Sequence, residues 1–140
     1  MLPFKHIIYS LILGLILFII LPYYSIIPFL IFFLSSVLID IDHYIVYIWR
    51  KKDKSLVGAL KWHELLNKNH TEKKKNIPFF HFLHSFEFLI LLVILSFFFK
   101  YIIYALLGFI FHSILDLIDM KRRKELSSRE YFTFKLFFKN

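Results

Sequence analysis

Three short groups in this chain carry side chains that bind metal ions or move protons. They are Asp40-Ile-Asp42-His43, His81-Phe-Leu-His84-Ser-Phe-Glu87, and Gly108-Phe-Ile-Phe-His112-Ser-Ile-Leu-Asp116. On a helix, residues i and i+4 lie on one face, a turn apart, so His112 and Asp116 form an aligned pair. His81, His84 and Glu87 recur at intervals of three and fall within about 120° of arc at 100° per residue. Asp40 and His43 are also three apart. Asp42 points elsewhere on a regular helix, so either the helix is locally distorted or Asp42 has a different role. Imidazoles and carboxylates without thiols suit zinc or another borderline divalent cation, and manganese and iron also accept such ligands. The candidate ligands are Asp40, Asp42, His43, His81, His84, His112 and Asp116, enough for one or two ions. Asp119 follows His112 by seven residues and could hold a ligand histidine from outside. Glu87 is the candidate general base, by position.

Each group sits where an apolar segment meets a basic one, and those segments must position it. The 140 residues are 59% hydrophobic and 21% aromatic, above the usual half-apolar composition of a soluble domain. The excess lies in long uncharged runs, which reads as membrane spans. Residues 7–39 carry no charge and contain Pro22 and Pro28. One helix of that length would be roughly 50 Å long, well over the ~30 Å hydrocarbon core. Two spans are expected instead, at about 4–21 and 28–48. The first lacks a small-residue cleavage site and is expected to be retained. From Phe88 to Phe111 the only charge is Lys100. A third span near 79–98, with Pro78 favourable at its first turn, and a fourth near 102–119 therefore meet in a tight turn. The expectation is one all-α, polytopic membrane domain over 1–140, a bundle of four transmembrane helices.

Residues 50–77 are the first strongly polar stretch. Within it, Ser55 is a plausible N-cap. Leu56, Leu60, His63 and Leu66 form a stripe at helical spacing, and Trp62 suits an interface. A short amphipathic helix lying on the bilayer surface is expected. His63 and His70 read as surface histidines. The tail, 121–140, mixes cations with aromatics and is expected along the headgroups. Seventeen of the eighteen Lys and Arg residues fall at one side of this arrangement and Lys100 at the other. The positive-inside rule then puts both termini and the 50–77 loop in the cytoplasm, at a cell membrane. All three clusters fall at that same face. A lone histidine in an apolar span is more often a packing residue than a ligand. The coincidence of three clusters at one depth, where unpaired charge is costly, points to a metal site.

The chain has no cysteine, which removes disulfides, thiolate sites and Cys nucleophiles. It shows no Gly-rich phosphate loop, no GxSxG elbow and no nucleic-acid motif. The basic loop is explained by topology, and no nucleic-acid partner is expected.

The ordered set Asp40-x-Asp42-His43, His84-Ser85 and Gly108-x-x-x-His112-x-x-x-Asp116, over roughly residues 35–120, resembles the YdjM-like family of membrane-bound metal-dependent hydrolases. The chain departs from the family's usual pattern at Ile39, where Pro is common. It departs again at Phe82, where a His-Arg pair is usual a little further upstream. The resemblance implies a four-helix or similar membrane bundle, a divalent metal and hydrolase activity, with Asp40, Asp42, His43, His84, His112 and Asp116 as the site. The expected function is hydrolysis of a lipid-linked ester, most simply a phosphoester, by metal-activated water, with membrane lipid as partner and substrate. Two other readings use the same ligands: a divalent-cation transporter, and a scaffold whose metal only fixes helix packing. A transporter needs polar groups across the whole bilayer. The half near Lys100 is expected to offer only Ser10, Ser96 and a few tyrosines.

Overall fold

The structure, a computed structural model, describes residues 3–68 and 82–122. Every regular element among them is helical: α1 (Pro3–Ile20), α2 (Ile26–Leu38), α3 (Ile41–Lys51), α4 (Leu56–Lys68), a 3-10 turn (Phe82–His84), α5 (Phe86–Phe98) and α6 (Ile102–Arg122). The all-α expectation holds. His81, His70, Lys73–Lys75 and the 123–140 tail lie outside the described residues.

α1 stops just before Pro22, whose missing N–H cannot continue the helix. Ser25 then sits in extended backbone at the N-cap position of α2. α2 and α3 form one apolar rod, Ile26–Lys51. Its middle tightens at Ile39 and Asp40. There the Asp40 N–H bonds the Val37 carbonyl at 3.4 Å and the His43 N–H bonds the Asp40 carbonyl at 3.1 Å. Both are three-residue steps of the 3-10 kind, a common sign of a functional distortion in a helix. This is the local irregularity that Asp42 requires.

Two helices, Ile26–Lys51 and Ile102–Arg122, are long and apolar enough to cross a membrane. α1 and α5 are shorter apolar helices. The 13 residues of α5 reach ~20 Å at 1.5 Å per residue, against a ~30 Å hydrocarbon core. Of the four expected spans, two are thus seen at crossing length. The third is described only from Phe82 onward.

The bundle is apolar outside and polar inside. Ile8, Ile12, Leu15, Ile19, Ile94, Phe97 and Ile114 face outward, whereas His6, Ser10, Ser36, Asp42, His84, His112 and Asp116 are buried. A water-soluble domain distributes these residue types the other way round.

α2 packs chiefly on α6, and Gly108 explains how closely. A Cβ there would collide with Ser35 Oγ and stand 2.5 Å from the Phe32 carbonyl. Only a hydrogen at that position lets the two backbones meet, the small-residue contact typical of membrane helices. One layer away, Ser10 of α1 and Ser36 of α2 share a buried hydrogen bond of 2.6 Å. Ser10 therefore lies beside the residues that lead to the His/Asp groups, rather than in the half near Lys100. At the opposite end, Tyr24 packs edge-on against Tyr104, ring centroids 5.6 Å apart.

α4 is folded back onto α3. The connection turns at Lys52, the one non-glycine residue with positive φ among those described. Asp53 accepts hydrogen bonds from the Tyr47 hydroxyl and from the Ser55 N–H. These two donors, the hydroxyl first, hold its carboxyl below the usual range. Ser55 is the N-cap of α4, as expected, accepting from the Gly58 N–H at 3.0 Å. The buried face of α4 is Ala59 with the half-buried Trp62 and His63. Leu56 and Leu60 face outward, so the expected stripe is divided between two sides of the helix.

Candidate metal centre

Two imidazoles define the centre. His84 ends the 3-10 turn that precedes α5. Ser85 fixes that junction, because its Oγ donates to the Phe82 carbonyl at 2.7 Å and accepts from the Phe88 N–H at 3.2 Å as the N-cap of α5. His112 lies on α6, one turn beyond Gly108, so the close α2–α6 approach brings it to Ser36. Its Nδ1 is 2.7 Å from the Ser36 carbonyl. A carbonyl only accepts, so this Nδ1 carries the proton. His84 Nδ1 is 2.9 Å from Asp42 Oδ2 and donates to that carboxylate. Both tautomers are thereby set, and each Nε2 is left with its lone pair.

Those two lone pairs face each other: His84 Nε2 and His112 Nε2 are 3.1 Å apart. Two bare acceptors at that distance repel unless a cation, a proton or a metal ion, lies between them. The spacing suits a metal well. Two nitrogens each 2.0–2.1 Å from one ion and 3.1 Å from each other subtend about 100° at it, close to a tetrahedral or cis-octahedral angle.

Carboxylates stand at both flanks of this pair. Asp40 Oδ1 is 3.6 Å from His112 Nε2 and 3.8 Å from His84 Nε2. Asp116 Oδ2 is 3.7 Å from His112 Nε2 and 3.8 Å from His84 Nε2. Asp40 Oδ2 is buried and has no hydrogen-bond partner, a costly state for a carboxylate oxygen in an apolar bundle. His43 joins at the Asp40 side, with Nε2 3.7 Å from Asp40 Oδ1. Overlapping sets here place three potential ligand atoms within 4.8 Å of one another: Asp40, His43 and His84; His84, His112 and Asp116; and His6, Asp40 and His112. The arrangement can hold a cation by imidazole and carboxylate, and it also forms the ion pairs just given.

The three sequence clusters do meet. Asp40, His43, His84, His112 and Asp116 converge directly. Asp42 reaches the centre through His84, the carboxylate–histidine contact that fixes a ligand's tautomer and orientation. Glu87 is half-buried in the first turn of α5 and belongs to none of the three sets. Asp119 is half-buried on the last part of α6 and likewise outside them. His63, expected at the surface, is half-buried, and its Nε2 donates to the His43 carbonyl at 3.1 Å. α4 thus braces the outer side of the centre.

Two contributors are not evident from the sequence. His6 is completely buried, stacked on His112 with ring centroids 4.0 Å apart. Its Nε2 is 3.2 Å from Asp116 Oδ1. Next to Lys5 it reads as part of a polar helix start. Its one signal is its place at the same end of the chain's topology as the other clusters. The second contributor, Ser36, acts through its backbone carbonyl, which no residue type announces.

Comparison with protein-family models, with curated proteins and with solved structures finds no match to this chain.

Beside the centre, a cavity of about 230 Å³ opens between α5 and α6, lined by His84, Ser85, Leu89, Phe109, Ser113 and Leu117 among others. Only His84 and the two serines bring polar atoms to that lining; the rest of these side chains are hydrocarbon.

Proposed function

We propose that this chain is a membrane-embedded, metal-dependent hydrolase of the YdjM-like kind, acting on a lipid-linked phosphoester. The observation that carries this reading is the pair of Nε2 lone pairs 3.1 Å apart, flanked by Asp40 and Asp116. The residues fit a divalent ion, with zinc the first choice for this donor set. His84, His112, Asp40 and Asp116 would hold it, and His43 stands at its Asp40 side. Once bound, such an ion lowers the pKa of a water and polarises a phosphoryl oxygen.

The chain's own residues do the rest. Asp42 keeps His84 in the tautomer that presents Nε2. The Ser36 carbonyl does the same for His112. Glu87 accepts the proton of the attacking water. The cavity along α5 and α6 takes the hydrocarbon part of the substrate, with His84 at its polar end. Lys51 and Lys52, both exposed at the end of α3, attract an anionic headgroup. The apolar exterior, the two helices of crossing length and the segregation of cations support a multi-pass protein of the cell membrane. In this arrangement both termini, the loop and the centre face the cytoplasm.

The test is hydrolysis by metal-loaded protein of phospholipids and isoprenoid phosphates, compared with Glu87→Gln. Glutamine keeps the shape but cannot accept a proton at neutral pH. The variant is expected to keep its metal and lose about 10²–10⁴-fold in turnover. Full turnover in the metal-loaded variant would remove Glu87 from the role. A wild type inert on every lipid ester would remove the hydrolase reading.

A further inference from the structure

His6 is the buried titratable group that this mechanism leaves unused, and its surroundings are chemically incomplete. Its imidazole is 0% exposed. Neither ring nitrogen has a hydrogen-bond partner. Nε2 lies 3.2 Å from Asp116 Oδ1, yet the contact is not aligned as an N–H···O bond. In either neutral tautomer, then, one nitrogen is a bare acceptor and neither makes a well-aligned hydrogen bond, both being sealed from solvent. Natural interiors rarely leave an imidazole in that state.

Asp116 offers the complement. Its two oxygens point to different histidines. Oδ2 faces His84 and His112 at 3.8 and 3.7 Å, while Oδ1 faces His6. A carboxylate divided in this way bridges two positions. Asp40 completes the second, since ligand atoms of His6, Asp40 and His112 lie within 4.8 Å of one another. His112 itself is committed, with Nδ1 bonded to Ser36 and Nε2 directed at His84. The separation of 3.2 Å between His6 Nε2 and Asp116 Oδ1 again matches two ligands at roughly 2.0–2.2 Å from one ion, about 100° apart.

We propose that His6, with Asp116 and Asp40, holds a second divalent cation beside the first, the Asp116 carboxylate being shared between them. The inference rests on the reading of the first ion and extends it to a two-metal centre. Such pairs clamp both the attacking and the leaving oxygen in phosphoester displacement. It also gives α1 a chemical role, because the N-terminal helix delivers the residue that makes the centre binuclear.

The competing explanation is that His6 only steadies Asp116. The two are separated by counting ions, because loss of an outer support weakens affinity by about 10–100-fold without changing the number of positions. The experiment uses the full chain in detergent with Mn²⁺ as probe. Ions per chain are counted by equilibrium dialysis at saturation, and magnetic coupling between them is read by electron paramagnetic resonance. The wild type is expected to hold two Mn²⁺ with a coupled spectrum. His6→Gln, which fills the same space, is expected to hold one Mn²⁺ with the spectrum of an isolated ion, and His6→Ala to do the same. Two ions in His6→Gln would overturn the proposal. So would its loss of both ions with an unchanged melting temperature, because His6 would then serve the first position. Should the variants fail to fold, the wild type decides: one ion, or two uncoupled ions, overturns the second position while leaving the first. No bound ion at all would instead overturn the metal reading as a whole.

Discussion

The two ends of this bundle bury polar groups in opposite ways. At the end that holds the turn between α1 and α2, Tyr24 is 5% exposed while its neighbour Tyr23 is 91% exposed. The Tyr24 hydroxyl is buried with no hydrogen-bond partner, but it is one neutral group packed against Tyr104. At the other end, four imidazoles and three carboxylates converge within a few ångströms. A neutral hydroxyl without a partner costs about 1–3 kcal/mol and can be tolerated. Clustered carboxylates and opposed lone pairs cost far more unless a proton or a metal ion neutralises them. One end is therefore ordinary packing with a small blemish, and the other is a site whose groups make sense together with an ion.

The strongest way to break this contrast is His112→Ala. It removes one of the two opposed lone pairs and the ring that stacks on His6. Bound metal is expected to fall by more than the ~10–100-fold that loss of an outer partner causes. A chelator should then lower the melting temperature of the wild type and leave that of the variant unmoved. Elemental analysis showing wild-type metal content in His112→Ala would place the ion elsewhere.

Gly108→Ala asks whether the site depends on how closely α6 approaches α2. The added Cβ would meet Ser35 Oγ, which can rotate, and the Phe32 carbonyl, which cannot. The helices must separate, at about 1–3 kcal/mol for overpacking. His112 would then be drawn away from the Ser36 carbonyl, so metal affinity should fall along with thermal stability. A drop in stability with unchanged affinity would show that the crossing holds the fold without aiming the ligands.

Tyr24→Phe is the smallest change and the control for the other end. It deletes an unpartnered hydroxyl together with the packing contacts of its oxygen, two effects that offset each other, so stability should shift by about 1 kcal/mol at most, in the stabilising direction. Burial first, and Tyr104 second, push the Tyr24 hydroxyl up to about 12. Because the folded state favours the protonated form, its contribution is intact below the ordinary tyrosine value of about 10. It is lost as pH rises from there through about 12. A spectrophotometric titration should lose one high-titrating tyrosine in the Phe variant. Metal content should be unaffected.

What could be read from the residues alone is unevenly distributed. The i, i+4 spacing of His112 and Asp116, the charge-free runs and the Ser55 cap are local properties, decided by helix periodicity and by where Lys and Arg occur. They were enough to give the all-α fold, the boundaries of α1 and α6 to within a few residues, and the convergence of three clusters at one end. The stripe on α4 was only half legible. Leu56 and Leu60 have the right spacing, but which side of a short helix is buried depends on what α3 presents to it. There Tyr47 packs on Trp62 and His43 on His63, with ring centroids 5.7 and 5.0 Å apart.

The sequence by itself therefore determined which residues could bind a cation and on which helix each would sit, because side-chain chemistry and helical period are properties of a short stretch. The tertiary structure alone decided their roles. Asp42 became the support of His84, while Asp40 turned toward the paired Nε2 atoms, because the chain tightens into 3-10 steps at Ile39 and Asp40. The Ser36 carbonyl set the tautomer of His112 from 76 residues away. His6, outside every motif, was carried into the centre by packing of α1 on α2 and α6. Those outcomes depend on distances between helices, and such distances are set by small residues such as Gly108 and Ser36 that carry no chemical signature of their own.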